Sequence, residues 1–174
     1  MARLQQIGFE LNSLSNGVEI TDEAGGGGTG GTIVTTPVRS GTYAIQVTGF
    51  TSGVVKGQFY NFSANANGPF FIRFCFRVAT LPSAENVIAQ IRNTGGTTTV
   101  YISIDNTGAL RLYDDVGVIG SPSGALSLDT WYRIEIEADR SPAAGSEVVR
   151  ARLDGTEFAG SAARTLGNAM GRFY

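Results

Sequence analysis

The sequence contains no histidine and only one cysteine, Cys75. A disulfide within the chain is therefore impossible, and zinc sites built from the usual cysteines and histidines are excluded. Catalytic triads with a histidine base and cysteine–histidine nucleophile pairs are excluded for the same reason. These absences remove several large classes of enzyme from consideration.

Charge is also scarce, at 16% of the residues, and Lys56 is the only lysine. The net charge of -2 provides no positive field for nucleic acid, so we expect no nucleic-acid partner. No run approaches the roughly 18 apolar residues that cross a bilayer, so we expect no membrane. Residues 1–6 lack the apolar run of a secretory signal, and we therefore expect synthesis in a cytoplasm.

What is abundant is glycine, with 24 residues in a chain of 174 that is 42% hydrophobic. Frequent turn residues between short apolar segments favour many strands over a few long helices. The length suits one domain, so we predict a single domain over residues 1–174. Residues 25–31 are almost all glycine and are predicted to form an exposed loop.

Two segments alternate clearly between apolar and polar residues. Residues 70–78 place Phe70, Phe74 and Phe76 on one face, and residues 131–139 place Ile134 and Ile136 on one face. A helix would scatter these side chains around its circumference, whereas a strand segregates them. The first of these faces is predicted to anchor the core.

The remaining segments complete an all-β pattern of about a dozen short strands, with hairpin turns at 105–108 and 154–155. Other strands are predicted at 7–11, 17–20, 32–36, 42–48, 54–62, 86–92, 98–105, 116–119, 148–153 and 156–159. Residues 161–166 are predicted to form a short helical turn. The pattern predicts an all-β sandwich or barrel.

Several short motifs point to a known fold family. They are Gly8-Phe9-Glu10, Ser40-Gly41-Thr42-Tyr43-Ala44, the strand 70–77 closed by Leu81-Pro82, Gly108-Ala109-Leu110, the run 128–136 and Leu153-Asp154-Gly155. In this order they resemble concanavalin A-like (laminin-G-like) jelly rolls of the kind found in tailed-phage structural proteins. The resemblance implies a two-sheet antiparallel β-sandwich of the jelly-roll type. The resemblance covers nearly the whole chain and implies that the last strand continues beyond Tyr174.

The most conspicuous acidic side chains are Glu135, Glu137 and Asp139, which share one strand face. Glycoside hydrolases of the resembled fold carry Glu-x-Asp-x-(x)-Glu, and this sequence breaks that order. We therefore expect these acids to pair with arginines such as Arg73 and Arg77 on a neighbouring strand. A hydrolase with a degenerate site is the weakest hypothesis, and the sequence predicts no catalytic residues.

Metal and sugar sites each have a structural alternative. Calcium-binding loops are common in the resembled fold, but Asp105, Asn106, Asp114 and Asp115 match no calcium motif and are explained more simply by turns. We therefore predict no metal and no cofactor. Three aromatic residues, Trp131, Tyr101 and Tyr113, are predicted to form a stacking platform for a glycan. Aromatic residues on strands more often pack in the core.

The leading functional hypothesis is a virion structural protein, not an enzyme. The resemblance implies a capsid decoration protein, or a related head or tail component, on the virion surface. Its partners would be capsid or tail proteins and further copies of itself, with a trimer as one form. The alternative hypothesis is a carbohydrate-binding module that attaches to cell-surface glycans.

Overall fold

The computed structural model describes residues 20–24, 31–48, 56–65, 68–93, 95–167 and 170–173, with the backbone alone for 20–24 and 56–65. The chain divides into two compact units, Met1–Tyr60 and Asn61–Tyr174. The prediction of a single domain stays a prediction. The described residues form strands β1 (Ile20–Ala24), β2 (Thr32–Val34), β3 (Ala44–Gln46), β4 (Lys56–Asn65), β5 (Pro69–Arg77), β6 (Asn86–Arg92), β7 (Thr98–Ile104), β8 (Leu110–Asp114), β9 (Val118–Ile119), β10 (Trp131–Asp139), β11 (Glu147–Leu153), β12 (Thr156–Arg164) and β13 (Met170–Phe173).

The first unit contains two antiparallel pairings. Strand β1 pairs with the first half of β4, from Ile20 opposite Tyr60 to Ala24 opposite Lys56. Strands β2 and β3 form a separate pair in which Ile33 lies opposite Ile45. The predicted strands at 7–11 and 17–20 and the predicted glycine-rich loop at 25–31 lie outside the described residues, apart from Ile20 and Gly31 at their ends.

The second unit is a two-layer sandwich. Its larger sheet has the strand order β4-β13-β6-β7-β8-β9, and its smaller sheet has the order β12-β11-β10-β5. In the larger sheet β7 pairs antiparallel with β8, and in the smaller sheet β10 pairs antiparallel with β5. The predicted all-β, two-sheet antiparallel sandwich of jelly-roll type is therefore confirmed. Among the described residues, none forms a helix long and apolar enough to span a bilayer.

The core lies between the two sheets of this unit. Fully buried apolar side chains come from alternate positions of both sheets, including Ile91, Val100, Ile102, Leu112, Ile134, Ile136 and Val149. Each large aliphatic side chain contributes about 1.5–3 kcal/mol when it is removed from water. Phe70 is buried as predicted, and Phe74 and Phe76 pack against the same cluster. The alternation in strands β5 and β10 therefore identified the core face correctly.

Of two segments predicted as turns, one forms a turn and the other continues a strand. The turn at 105–108 joins β7 to β8, with Gly108 at a φ of 85° that glycine adopts without strain. The predicted helical turn at 161–166 is wrong, because β12 continues to Arg164. Arg164 lies opposite Glu147 of β11, so pairing with a neighbouring strand overrides the helical preference of the alanines in this segment.

Candidate functional site

The outward face of the larger sheet in the second unit carries a mixture of tyrosine, arginine and neutral polar side chains. Since Ile91, Val100 and Leu112 point into the core, the residues next to them in β6, β7 and β8 point outward. These outward residues are Gln90, Arg92, Tyr101, Ser103, Arg111 and Tyr113, and β13 adds Arg172.

Two tyrosines form the centre of this face. Tyr101 of β7 lies directly opposite Tyr113 of β8, and their rings are stacked with centroids 4.6 Å apart and planes 1° from parallel. Both were predicted as glycan-stacking residues, and the fold brings them together. They line a groove of about 280 Å³. Its lining is Glu85, Asn86, Val87, Tyr101, Ser103 and Tyr113.

Glu85 provides the charge of the groove. The Ser103 hydroxyl donates a 2.5 Å hydrogen bond to Glu85 Oε1. Burial, together with the hydrogen bond to Glu85 and its negative charge, raises the pKa of Tyr113 to about 12. Burial also raises the pKa of Tyr101, and the charges of Glu85 and Asp114 add to the effect. Both phenols therefore hold their protons at neutral pH and can donate hydrogen bonds.

A pair of arginines lies on the same face, further along the strands. Arg172 of β13 is directly opposite Arg92 of β6, so two guanidinium groups occupy one register position. Gln90, two residues before Arg92, lies opposite Tyr101 and accepts a 3.1 Å hydrogen bond from Thr98 Oγ1. With about 3.4 Å per residue along a strand and 4.8 Å between strands, the Arg92 and Tyr101 backbones lie about 8 Å apart.

On the outward face of the smaller sheet, acidic and basic side chains pair with one another across neighbouring strands. Glu135 Oε1 lies 2.9 Å from Arg73 Nε and 3.2 Å from Arg133 Nε. Glu137 Oε2 lies 3.2 Å from Arg152 Nη2 and 3.7 Å from Arg150 Nη1. The predicted pairing of Glu135 with Arg73 is thereby confirmed.

The other members of the acidic strand face also have local partners. Asp139 accepts hydrogen bonds from the backbone and hydroxyl of Ser141, at 2.8 and 2.6 Å. Arg77, expected to pair with this strand face, instead donates to Asp129. The arrangement is thus a network of ion pairs and turns on a strand face.

Trp131 does not join the tyrosine pair. It lies in β10 of the smaller sheet, opposite Arg77 of β5, whereas Tyr101 and Tyr113 lie in the larger sheet. A common platform of all three aromatics is therefore not formed. Stacking of a sugar on Trp131 stays a separate prediction.

The acidic residues considered for calcium are engaged in turns and ion pairs. Asp105 Oδ1 accepts hydrogen bonds from Thr107 Oγ1 at 2.6 Å, Thr107 N at 2.9 Å and Ala109 N at 3.1 Å. The Thr107 hydroxyl is the main reason that the pKa of Asp105 is lowered, with the backbone and Arg111 hydrogen bonds adding to it against burial. Across the described part of the chain, no three histidine, cysteine or acidic side chains group to hold a metal.

Sequence reasoning did not find Glu85, Ser103, Arg92 or Arg172 as site residues. Ser103 was visible as a neighbour of Tyr101 on one strand face, which is a weak signal. Glu85 and the two arginines belong to segments separated from the tyrosines in sequence, and only sheet order brings them to the same face.

Comparison with solved structures shows a likeness of fold. An endo-β-1,4-glucuronan lyase from the fungus Trichoderma reesei matches with a TM-score of 0.61 and 19% identity, over 91% of this chain and 78% of that chain. An alginate lyase matches with a TM-score of 0.43 and 13% identity, over 68% of this chain and 63% of that chain, which is too weak to support an inference. No protein-family model matches the chain, and no curated protein matches it significantly.

This comparison corrects the expectation that the protein is not an enzyme. The sandwich is a fold on which a glucuronan lyase is built, so the step from this fold to a purely non-catalytic role was wrong. The missing histidine and the broken hydrolase motif exclude particular mechanisms, but they leave elimination chemistry open. The comparison supports the jelly-roll-like sandwich and not a phage origin or a virion role.

Proposed function

We propose that this protein is a carbohydrate-active protein that binds an acidic, uronate-containing polysaccharide across the outward face of its larger sheet and cleaves it by elimination. The observation that carries the proposal is the presence of two kinds of group on one face. The arginine pair Arg92–Arg172 and the stacked pair Tyr101–Tyr113 lie within two residue positions of each other along the strands.

The arginine pair suits the carboxylates of a uronate polymer. A guanidinium group donates two parallel hydrogen bonds to a carboxylate and stays charged at every relevant pH. Arg92 and Arg172 stand on adjacent strands, about 4.8 Å apart in backbone position, so their charges act on one ligand group or on close neighbours. A uronate carboxylate can form such charged hydrogen bonds with these arginines, whereas a neutral glycan offers no charged group.

The tyrosine pair suits the sugar rings of the same ligand. Aromatic rings offer a rigid apolar surface with a polar end, and binding grooves combine such surfaces with a few convergent polar groups. Here Tyr101 and Tyr113 provide the surface, and their hydroxyls are polar groups of the same face. Ser103 is buried and holds Glu85 through its hydroxyl. The groove is open to solvent at Glu85, as a binding face for a polymer requires.

Elimination is the reaction expected at such a face. The proton next to the uronate carboxylate goes to a base, the glycosidic C4–O4 bond breaks, a C4=C5 double bond forms, and O4 takes a proton. An arginine on the carboxylate stabilises the negative charge that develops there. The Tyr113 hydroxyl, which lines the groove, is the group that gives a proton to the departing oxygen.

The proposal is tested by titrating the protein with glucuronan, alginate and a neutral β-glucan in a calorimeter. Cleavage is followed through the ultraviolet absorbance of the unsaturated product. Arg92→Gln and Arg172→Gln are each expected to weaken uronate binding about tenfold, since a charged bidentate contact contributes roughly 1.5–3 kcal/mol.

Arg73→Gln provides the matched control, because it removes the same charge from the outward face of the smaller sheet, where the Arg73 side chain is 69% exposed. It is expected to leave binding unchanged. Equal losses for Arg73→Gln and Arg92→Gln, or equal affinity for the neutral glucan, would contradict the proposal. If the protein binds the polysaccharide but forms no unsaturated product, the glycan-binding face is supported and the proposed cleavage is contradicted.

Assembly into a particle, with capsid or tail proteins and further copies of the chain as partners, stays a prediction from the sequence resemblance. Sedimentation of the purified protein tests the expected homo-oligomer directly. A monomeric protein that binds and cleaves a polysaccharide would leave the virion hypothesis without support.

A further inference from the structure

We propose further that the groove beside Glu85 holds a neutral sugar, so that the protein selects polysaccharides in which uronates stand next to neutral residues. This inference rests on the proposed function, because it assigns the ligand of the same face more narrowly. It separates the face into an anion-binding part at Arg92 and Arg172 and a neutral part at the tyrosine pair.

The first observation is the position of Glu85 in the groove. Glu85 is an exposed residue that lines the groove together with Asn86, Val87 and both tyrosines. A carboxylate accepts hydrogen bonds and donates none, so it matches the hydroxyl groups of a sugar. Hydrogen bonds to a charged acceptor are roughly twice as strong as neutral ones, which favours a sugar with several hydroxyls.

The second observation is that the same charge opposes a uronate at this position. A ligand carboxylate stacked against Tyr113 would face Glu85, which already accepts the Ser103 hydroxyl at 2.5 Å and hydrogen-bonds Tyr113. Two carboxylates in one small site repel each other, and neither can donate a hydrogen bond to the other. The groove thus discriminates by repulsion as well as by attraction.

The third observation is the spacing on the face. The groove of about 280 Å³ is at the small end of ligand clefts, so it takes a single ring rather than a long stretch of polymer. Arg92 lies about 8 Å from Tyr101 in backbone position, a distance that neighbouring residues of one polysaccharide chain can span. A uronate at the arginines therefore places its neighbour in the groove.

The experiment compares three oligosaccharides of equal length: a glucuronate homopolymer, glucuronate alternating with a neutral hexose, and a neutral glucan. The parent protein is expected to bind the alternating ligand about tenfold more tightly than the homopolymer. Glu85→Gln is expected to strengthen homopolymer binding and to reduce this preference to about threefold or less. Glu157→Gln, an equivalent change at a 46% exposed side chain of the smaller sheet, is the control and is expected to keep the parent preference.

The outcomes separate this inference from the proposed function. If neither acidic ligand binds, the proposed function fails. If both bind equally and Glu85→Gln changes neither affinity, the neutral subsite fails and the proposed function stands. Circular dichroism checks the fold of the variant, and Glu85→Ala, which removes the carboxylate at the same exposed position, gives the same comparison should Glu85→Gln misfold.

Discussion

Asp114 at the end of β8 and Arg164 at the end of β12 form a two-point ion pair, with Nε and Nη2 of the arginine each 2.5 Å from a carboxylate oxygen. The Asp114 side chain is completely buried, and it also accepts 3.0 Å hydrogen bonds from the backbone of Val116 and Gly117. Because β8 belongs to the larger sheet and β12 to the smaller one, this pair joins the two layers of the second unit.

Asp114→Asn is expected to lower the free energy of unfolding by about 3 kcal/mol, since it leaves the Arg164 guanidinium without its buried partner. Chemical denaturation followed by circular dichroism measures the change. Asp129→Asn, which breaks the more exposed pair with Arg77, is the control and is expected to cost less than about 1 kcal/mol. Equal costs at the two sites would contradict a special role for the buried pair.

The free energy of unfolding is expected to fall at acidic pH because Asp114 becomes protonated. Burial alone would raise the pKa of Asp114, but the hydrogen bonds and charge of Arg164 and the backbone of Gly117 and Val116 lower it below the ordinary 3.8. The folded protein therefore holds this proton less tightly than the unfolded chain. The contribution is complete above pH 3.8 and is lost as the pH falls through the folded pKa.

Denaturation curves across the acid range test this dependence. Asp114→Asn is expected to give a shallower fall than the parent, with part of the slope remaining because the pKa of Asp105 is lowered too. A slope that is identical in parent and variant would show that Asp114 does not contribute to acid sensitivity.

Tyr113 is expected to titrate at a pKa of about 12, well above the ordinary 10. Since the folded state holds this proton more tightly, the stabilisation is complete below pH 10 and is lost as the pH rises through about 12. Glu85→Gln is expected to lower this pKa, because it replaces a charged acceptor with a neutral one. Ultraviolet difference absorbance of the phenolate, with Tyr113→Phe to assign the signal, measures both values.

The ion-pair network on the smaller sheet is expected to matter little for function. Glu135→Gln and Glu137→Gln should each cost about 1 kcal/mol or less of stability, because their arginine partners are partly exposed to water. Neither change should alter glycan cleavage or binding by more than about twofold. Loss of cleavage in either variant would show that the acidic residues of strand β10 take part in catalysis.

Strands in which apolar and polar residues alternate strongly were predicted correctly. A segment without such alternation was not. Residues 131–139 were predicted with their bounds and their buried face, because period-two alternation belongs to the strand itself. Residues 161–164 were misread, because alanine and arginine favour a helix and the pairing with β11 overrides that local preference.

Some features of the candidate site likewise follow from the sequence, and others follow only from the tertiary structure. The sequence by itself determined an all-β sandwich, a chain without histidine chemistry, and tyrosines on outward strand positions, since these depend on composition and local periodicity. Only the tertiary structure decided that Tyr101 stacks on Tyr113, that Glu85 lies beside them, and that Arg92 and Arg172 share their face while Trp131 does not. Strand order and register bring together residues far apart in sequence, and local periodicity contains no information about which strands become neighbours.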